Sequence, residues 1–205
     1  HGGRCLMTAP AHPVASERVA EAMQRLDCTH VLNVQGDEIL ILPDDLDRMV
    51  QAIEGEPEVP VWNAVAGIED PSELQDAAVV KCLVSRSGRI LSCSRQFGHL
   101  AAAARGPTAP VRKVLGILGY RRDFLEGFSR LLQTPLEQAE SVEQLRILEH
   151  DIMLRSVAFS RGYPGINEPR EVALVEACLK SDPAQQAVLE EILRVSAGGM
   201  TRGTM

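Results

Sequence analysis

The sequence predicts an α/β fold, a mostly parallel sheet with helices on both faces. Three observations carry that expectation. Strand-like apolar runs alternate with amphipathic helical segments along most of the chain. At 205 residues and 45% hydrophobic, the chain can bury one sizeable core. Continuous apolar runs such as "VLGILGY" (114–120) read as strands covered on both sides. The expected organisation is one domain over residues 1–196, a smaller α+β subdomain within it around 79–130, and a disordered tail over 197–205.

In chain order, "RCLMTA" (4–9) reads as a short strand, and "SERVAEAMQRL" (16–26) as a helix with Ser16 at its N-cap and Val19, Met23 and Leu26 on one face. "THVLNV" (29–34) is the next strand. "LPDDLDRMVQAIE" (42–54) follows as a helix, with Pro43 and two acids in its first turn and Leu46, Met49, Val50 and Ile53 at helical spacing. "VPVWNAVAGI" (59–68) is β-rich, and residues 78–95 read as two strands joined by a turn at Ser87-Gly88. "FGHLAAAARGPTAP" (97–110) has no clean period and reads as a mobile loop. After the strand at 114–120 come a short helix (122–132), a longer one (135–150) opened by Pro135, a strand (152–159), a turn (162–169) and two closing helices (168–181 and 183–195).

Composition excludes several function classes. A net charge of −7 without clustered Lys and Arg argues against a nucleic-acid partner or an anionic membrane surface, because phosphate backbones need concentrated positive charge. No apolar run reaches the ~20 residues of a membrane span, and His1-Gly2-Gly3-Arg4 lacks a signal pattern, so a soluble cytoplasmic protein is expected. The cysteines at 5, 28, 82, 93 and 178 are widely spaced and read as reduced core thiols. The histidines show no ligand spacing, and no Ser or Cys sits in a nucleophile-elbow context, so zinc-hydrolase and thiol chemistry have little support.

"VLNVQGDEIL" (31–40) raises the functional question, since an apolar strand ends abruptly on Gln35-Gly36-Asp37-Glu38. Ligands of α/β sheets gather outside the carboxyl ends of the strands. A carboxylate just past a glycine there suits Mg²⁺ held against a phosphate. Acids approaching the next helix N-terminus would look the same, and spacing leaves both readings open.

"NVQGDE" (33–38) resembles the signature of the CMP-Kdo synthetase (3-deoxy-manno-octulosonate cytidylyltransferase) family, and other segments match in the same order: 7–22, "VVKCLVSRSGRILSCSR" (79–95), "VLGILGYRRDFL" (114–125), "LEQAESVEQLRILEH" (136–150) and "GINEPREV" (165–172). The resemblance implies a Rossmann-like nucleotidyltransferase sheet and attack of an acceptor oxygen on the α-phosphorus of CTP, with release of pyrophosphate. It implies that Ser16, Arg18, Gln35 and Gly36 lie on the nucleotide side, and that Asp37 holds Mg²⁺, with Asn167 where the family has a second metal-binding Asp. Arg95, Glu143 and Gln144 would face a small acidic acceptor, Arg95 and Lys81 also counting with Asp37 as catalytic. Lys81 either neutralises a phosphate or is an ordinary strand-edge lysine. A homodimer built through the 79–130 subdomain is also implied.

Departures from the pattern temper those expectations. The family's N-terminal strand and its Arg/Gly/Lys-rich phosphate loop have no counterpart in the sequence, and Asn167 replaces a carboxylate with a neutral amide. Val114 and Leu118 stand where the family has His and Tyr, and Val14-Ala15-Ser16 where it has Ser-Gly-Thr. Fewer polar groups for a polyhydroxylated acid favour an acidic acceptor other than Kdo, a sugar acid or a phosphonate, with a phosphonoformate-type acid and Kdo itself as the alternatives. A non-catalytic nucleotide-binding or dimerising homologue is the alternative from another class.

Overall fold

The computed structural model describes residues 3–12, 14–97, 100, 106, 109–166, 168–169 and 171–199. Among them, β1 (His30–Val34), β2 (Val61–Ala66), β3 (Lys81–Val84), β4 (Ile90–Ser94), β5 (Val111–Arg121) and β6 (Leu154–Ala158) form one sheet in the order β4-β3-β5-β2-β6, with β1 also on β5. β5 organises it. One edge of β5 carries β3 along residues 111–113 and β1 along 117–121, while β2 runs along the other edge. β1, β2, β3 and β6 all point the same way, so strand directions are mostly parallel as expected. The hydrogen-bonded ladders are mostly antiparallel, because β5 runs against its three neighbours and β2–β6 is the one parallel pair.

Side-chain alternation along the central strands divides the core into two layers. Val61 and Val65 of β2, with Leu118 and Tyr120 of β5, face Met23 of α1 (Ala15–Met23), Phe128 of α3 (Arg122–Phe128) and Leu145 and Ile147 of α5 (Gln144–Glu149). Trp62, Ala64, Leu115 and Ile117 face the other way, onto Met49 and Ile53 of α2 (Pro43–Gly55). Helices therefore cover both faces. All six residues of β2 are buried, as befits a strand paired on both edges and covered on both sides. Gly119 permits the close approach of α2, since a Cβ there would meet Ile53 Cδ1 at 2.9 Å.

Several local expectations change. Residues 4–9 form no strand; they lie along α1, where the Ala9 N–H donates to Glu21 at 2.9 Å and Arg18 donates to Thr8 and the Ala9 carbonyl. Ser16 is not the N-cap, a position held by Val14; it sits buried in the first turn, and α1 ends at Met23 rather than Leu26. The helix expected over 135–150 breaks in two. α4 (Pro135–Glu140) opens on a Thr134/Glu137 capping box and ends at Ser141 in the left-handed region (φ 53), after which the chain restarts as α5. The Arg95 guanidinium donates to the Glu140 and Ser141 carbonyls, which stabilises the break. Of the loop expected over 97–110, residues 98–99, 101–105 and 107–108 lie outside the described residues. α6 (Glu171–Ser181) and α7 (Pro183–Gly199) close the fold; α7 runs on into the expected tail, and 200–205 lie outside the described residues.

Candidate active site

The carboxyl end of β1 turns sharply over the middle of β5. Gln35 N–H donates to the Gly116 carbonyl (3.0 Å), and the Gly116 N–H donates to the carboxylate of Glu38. Both main-chain groups of one β5 glycine are thus used by the Gln35–Glu38 turn. A side chain at 116 would displace the Gln35 and Glu38 side-chain ends, since its Cβ would lie 2.7 Å from Gln35 Oε1 and 3.0 Å from Glu38 Oε1. Burial raises the Glu38 pKa, the Gly116 N–H opposing and Asp37 adding to the rise.

Asp37 is held by its backbone rather than by its side chain. Its carbonyl accepts from Ile39 N (2.9 Å) and Ile166 N (3.2 Å), and Gly165 packs so closely that a Cβ there would lie 3.0 Å from that carbonyl. Among the described residues, no hydrogen bond or ion pair engages its half-buried carboxylate. Gly36 does not adopt a positive φ; the space where its Cβ would stand is open, which leaves the turn accessible from that side. Before the Ile166 side of the loop, Asp182, between α6 and α7, accepts from Tyr163 OH (3.1 Å) and Arg161 (2.6 Å), and beyond the turn Gln185 of α7 donates to the Leu40 carbonyl (2.6 Å). Asn167, the other expected metal ligand, lies outside the described residues.

A second constellation forms on the α1/α5 face of the sheet. Ser16 Oγ donates to the carboxylate of Glu143, and 2.7 Å away lies Tyr120 OH. With its one hydrogen given to Glu143, Ser16 accepts from the tyrosine. Burial pushes both the Glu143 carboxyl and the Tyr120 hydroxyl pKa upward, and in each case burial is the leading cause. A pocket of about 290 Å³ opens beside Glu143, walled by Val14, Glu137 and Ser141. Next along the chain, Gln144 donates to the side-chain oxygen of buried Asn63 at 2.9 Å.

The remaining expected residues are engaged in holding the frame. Lys81 is fully buried, and its ammonium donates to the carbonyls of Asp76 and Val79 (2.8 Å each) and Arg95, with desolvation lowering its pKa. It faces backbone, not open space. Arg95 spreads its guanidinium over the carbonyls of Glu140 (2.8 Å), Ala77 (2.7 Å) and Ser141 (3.1 Å), so it caps the end of α4 and sets the chain that leads into Glu143. Arg18 is spent on Thr8 and Ala9, beside rather than inside the Glu143 cluster. Beneath the α4–α5 junction, Arg146 and Glu137 form a buried fork (2.6 and 2.8 Å) with the guanidinium 4.9 Å from the Phe128 ring centroid. The structure thus joins Ser16 with Glu143 and Gln35 with Asp37, and links Lys81 to the Glu143 side through Arg95.

Sequence reasoning missed Glu38, Asn63, Gly116 and Tyr120. Signals existed for two of them: an amide inside the apolar run "VPVWNAVAGI" and a glycine inside "VLGILGY", each out of place in a strand unless the backbone there does something special.

A carboxylate left open at the carboxyl end of a strand lies where α/β sheets bind ligands, and similarity to known proteins gives the class, a nucleotidyltransferase. The CTP-bound structure of CMP:2-keto-3-deoxy-manno-octonic acid synthetase superposes with a TM-score of 0.78 at 30% identity, over 88% of this chain and 74% of that one. A family model described as cytidylyltransferase matches residues 1–154, and the chain belongs to that family of enzymes. The 3-deoxy-manno-octulosonate cytidylyltransferase of Polynucleobacter asymbioticus is 37% identical over 155 residues, 72% of this chain and 60% of that protein. That of Escherichia coli is 31% identical over 186 residues, 91% of this chain and 74% of that protein. The chain thus spans between three fifths and three quarters of these relatives' length.

Proposed function

We propose that this protein transfers CMP from CTP to a hydroxylated sugar acid of the 3-deoxy-manno-octulosonate class, releasing pyrophosphate. The acceptor hydroxyl oxygen bonds to the α-phosphorus, the bond from that phosphorus to the bridging oxygen breaks, pyrophosphate leaves with the electron pair, and the hydroxyl proton is released. Positioning and charge neutralisation are what such a reaction asks of the protein. The observation that carries the reading is the Asp37 carboxylate, presented at the end of β1 on a turn anchored to Gly116 by the Gln35 N–H and the Glu38 carboxylate and to Ile166 by the Asp37 carbonyl.

Mg²⁺ fits this donor set. A magnesium ion that serves a nucleotide takes one or two carboxylates and fills its other positions with phosphate and water. Asp37 supplies one such carboxylate, and the described residues hold no group of three or more His, Cys, Asp or Glu that would make a protein-only cage. Asn167 would add an amide oxygen. Bound there, the ion would offset charge on the triphosphate. Gln35, seated on Gly116, belongs to the nucleotide side of the turn. Glu143, fixed by Ser16 and Tyr120 and bordering the pocket, offers carboxylate oxygens to acceptor hydroxyls; Lys81 and Arg95 hold the α4–α5 junction that places it. No observation favours a phosphonate acceptor, and both relatives described above are named for octulosonate. Assembly as a homodimer through the 79–130 region is part of the same proposal, to be read by light scattering.

The test is pyrophosphate release from CTP and Mg²⁺ with a panel of acids. Turnover with 3-deoxy-manno-octulosonate and little with phosphonoformate is expected. CTP binding without turnover on any acid would replace this reading with that of a nucleotide-binding homologue.

A further inference from the structure

The ladder between β2 and β5 is irregular where the site is built. Asn63 pairs with Leu118 and Val65 with Val114, so β5 advances four residues while β2 advances two. Such a bulge leaves main-chain groups without ladder partners and re-aims the strand. The Gly116 N–H and carbonyl go to the Gln35–Glu38 turn on one edge. On the other edge the carbonyls of Leu115 and Ile117 are taken by Asn63, whose Nδ2 lies 2.8 Å and 3.1 Å from them and 3.0 Å from the Ala64 carbonyl.

This arrangement fixes the amide of Asn63 without ambiguity. Three carbonyl oxygens surround one end of its side chain, and only the NH₂ end can face them; an oxygen there would meet three like partners. The other end of the buried side chain is therefore an acceptor, and Gln144 meets it with a donor, Nε2 at 2.9 Å. Gln144 in turn cannot flip, because its oxygen would then confront the Asn63 oxygen. Its own Oε1 is left facing away from Asn63, and accepts no hydrogen bond from the described residues.

We infer that Asn63 is a positioning residue that locks the Gln144 side chain with its carbonyl oxygen free, so that the acceptor side of the site reads a hydrogen-bond donor at this point. The inference rests on the proposed function for the identity of what is read. Together with Glu143, whose carboxylate is also an acceptor, Gln144 then selects a substrate that brings hydroxyl groups. An acid that presents only ionised oxygens finds no donor at the Gln144 oxygen, and one of the two Gln144 N–H groups is already committed to Asn63. A buried polar pair of this kind discriminates strongly, because a substrate lacking the matching group leaves it unpaired.

Two measurements test this separately. In the protein as it stands, the side-chain amide of Gln144, assigned by its disappearance in Gln144→Met, is expected to exchange with solvent at least about tenfold more slowly than exposed glutamines, and to lose that protection in Asn63→Val but keep it in Asn63→Thr, whose hydroxyl can still accept. Exchange as fast as an exposed glutamine in the parent overturns the lock, whether or not any acid is a substrate. In kinetics, Asn63→Val is expected to raise KM for 3-deoxy-manno-octulosonate about tenfold or more with KM for CTP within about twofold, and Asn63→Thr to restore most of it. Equal rises in both KM values would make Asn63 merely structural and overturn the specificity role. Absence of turnover in the parent with every acid would defeat the proposed function and the substrate-reading part with it, while the exchange result would still decide the lock.

Discussion

The Gln35–Glu38 turn and the Glu143–Gln144 helix start sit on either side of the same β5 bulge and are built in opposite ways. In the turn, the backbone is pinned at Gln35, Asp37 and Glu38 and the Glu38 carboxylate is seated on the Gly116 N–H, while the Asp37 carboxylate is left without a partner among the described residues. At the helix start, side chains do the pinning: Ser16 and Tyr120 hold Glu143, and Asn63 holds Gln144. A carboxylate kept open awaits a charge that comes with the ligand. A set of side chains already bonded to each other offers fixed acceptors and pays little further ordering entropy when a polar substrate arrives. One half of the site is thus poised for charge, the other for shape and hydrogen-bond sense.

The largest expected effect breaks the locked half from beneath. Glu137→Ala strands Arg146 as an unpaired buried cation (3% exposed) and should cost about 3–5 kcal/mol in urea unfolding. Replacing both partners with apolar residues should cost much less. Asp37→Asn strikes the open half instead: turnover should fall by roughly 10²–10³-fold, while unfolding stability stays within about 0.5 kcal/mol of the parent, because the carboxylate supports nothing in the fold. If Asp37→Asn destabilises as much as it inactivates, the contrast between the halves is wrong.

The contrast also explains what could be read from the sequence. The turn is a local feature: Gln35, Gly36 and Asp37 are consecutive, follow an apolar strand and precede a Pro-initiated helix, so pattern alone placed them at a strand end. The locked half draws residues 16, 63, 120, 143 and 144 from four different elements. No period reports that meeting. Ser16 looked like a cap because a serine at a helix start usually is one, and here its hydroxyl is claimed by tertiary partners instead. The single helix expected over 135–150 failed for the same reason: its apolar spacing continues across Ser141, but Arg95, distant in sequence, stabilises the broken form by taking the exposed carbonyls. Lys81 looked like an edge residue or a phosphate ligand because burial of an ammonium is rare, and three carbonyls make it possible. Strand order was equally hidden, since nothing local announces that β5 will insert among strands of the opposite direction.

Gly116→Ala sharpens the comparison by disturbing the element both halves share. A methyl 2.7 Å from Gln35 Oε1 forces the Gln35 and Glu38 side-chain ends to shift, at about 1 kcal/mol of stability, with weakened CTP binding and smaller change in Gln144 amide protection. The smallest effect is a pH dependence. Glu38 is pushed above its ordinary 4.5 by burial, so the folded state holds its proton more tightly than the unfolded chain does. Its contribution is full below 4.5 and is lost as pH rises through the folded value. Glu38→Gln keeps an oxygen for Gly116 and removes this loss, so stability of the variant relative to the parent should rise with pH across that window, as read from paired denaturation curves.

Calorimetric titration of CTP with and without Mg²⁺, into the parent and into Asp37→Asn, addresses the central claim most directly. Magnesium should strengthen CTP binding to the parent and leave binding to Asp37→Asn nearly unchanged. Equal strengthening in both proteins would contradict the assignment of Asp37 as the group that meets the cation.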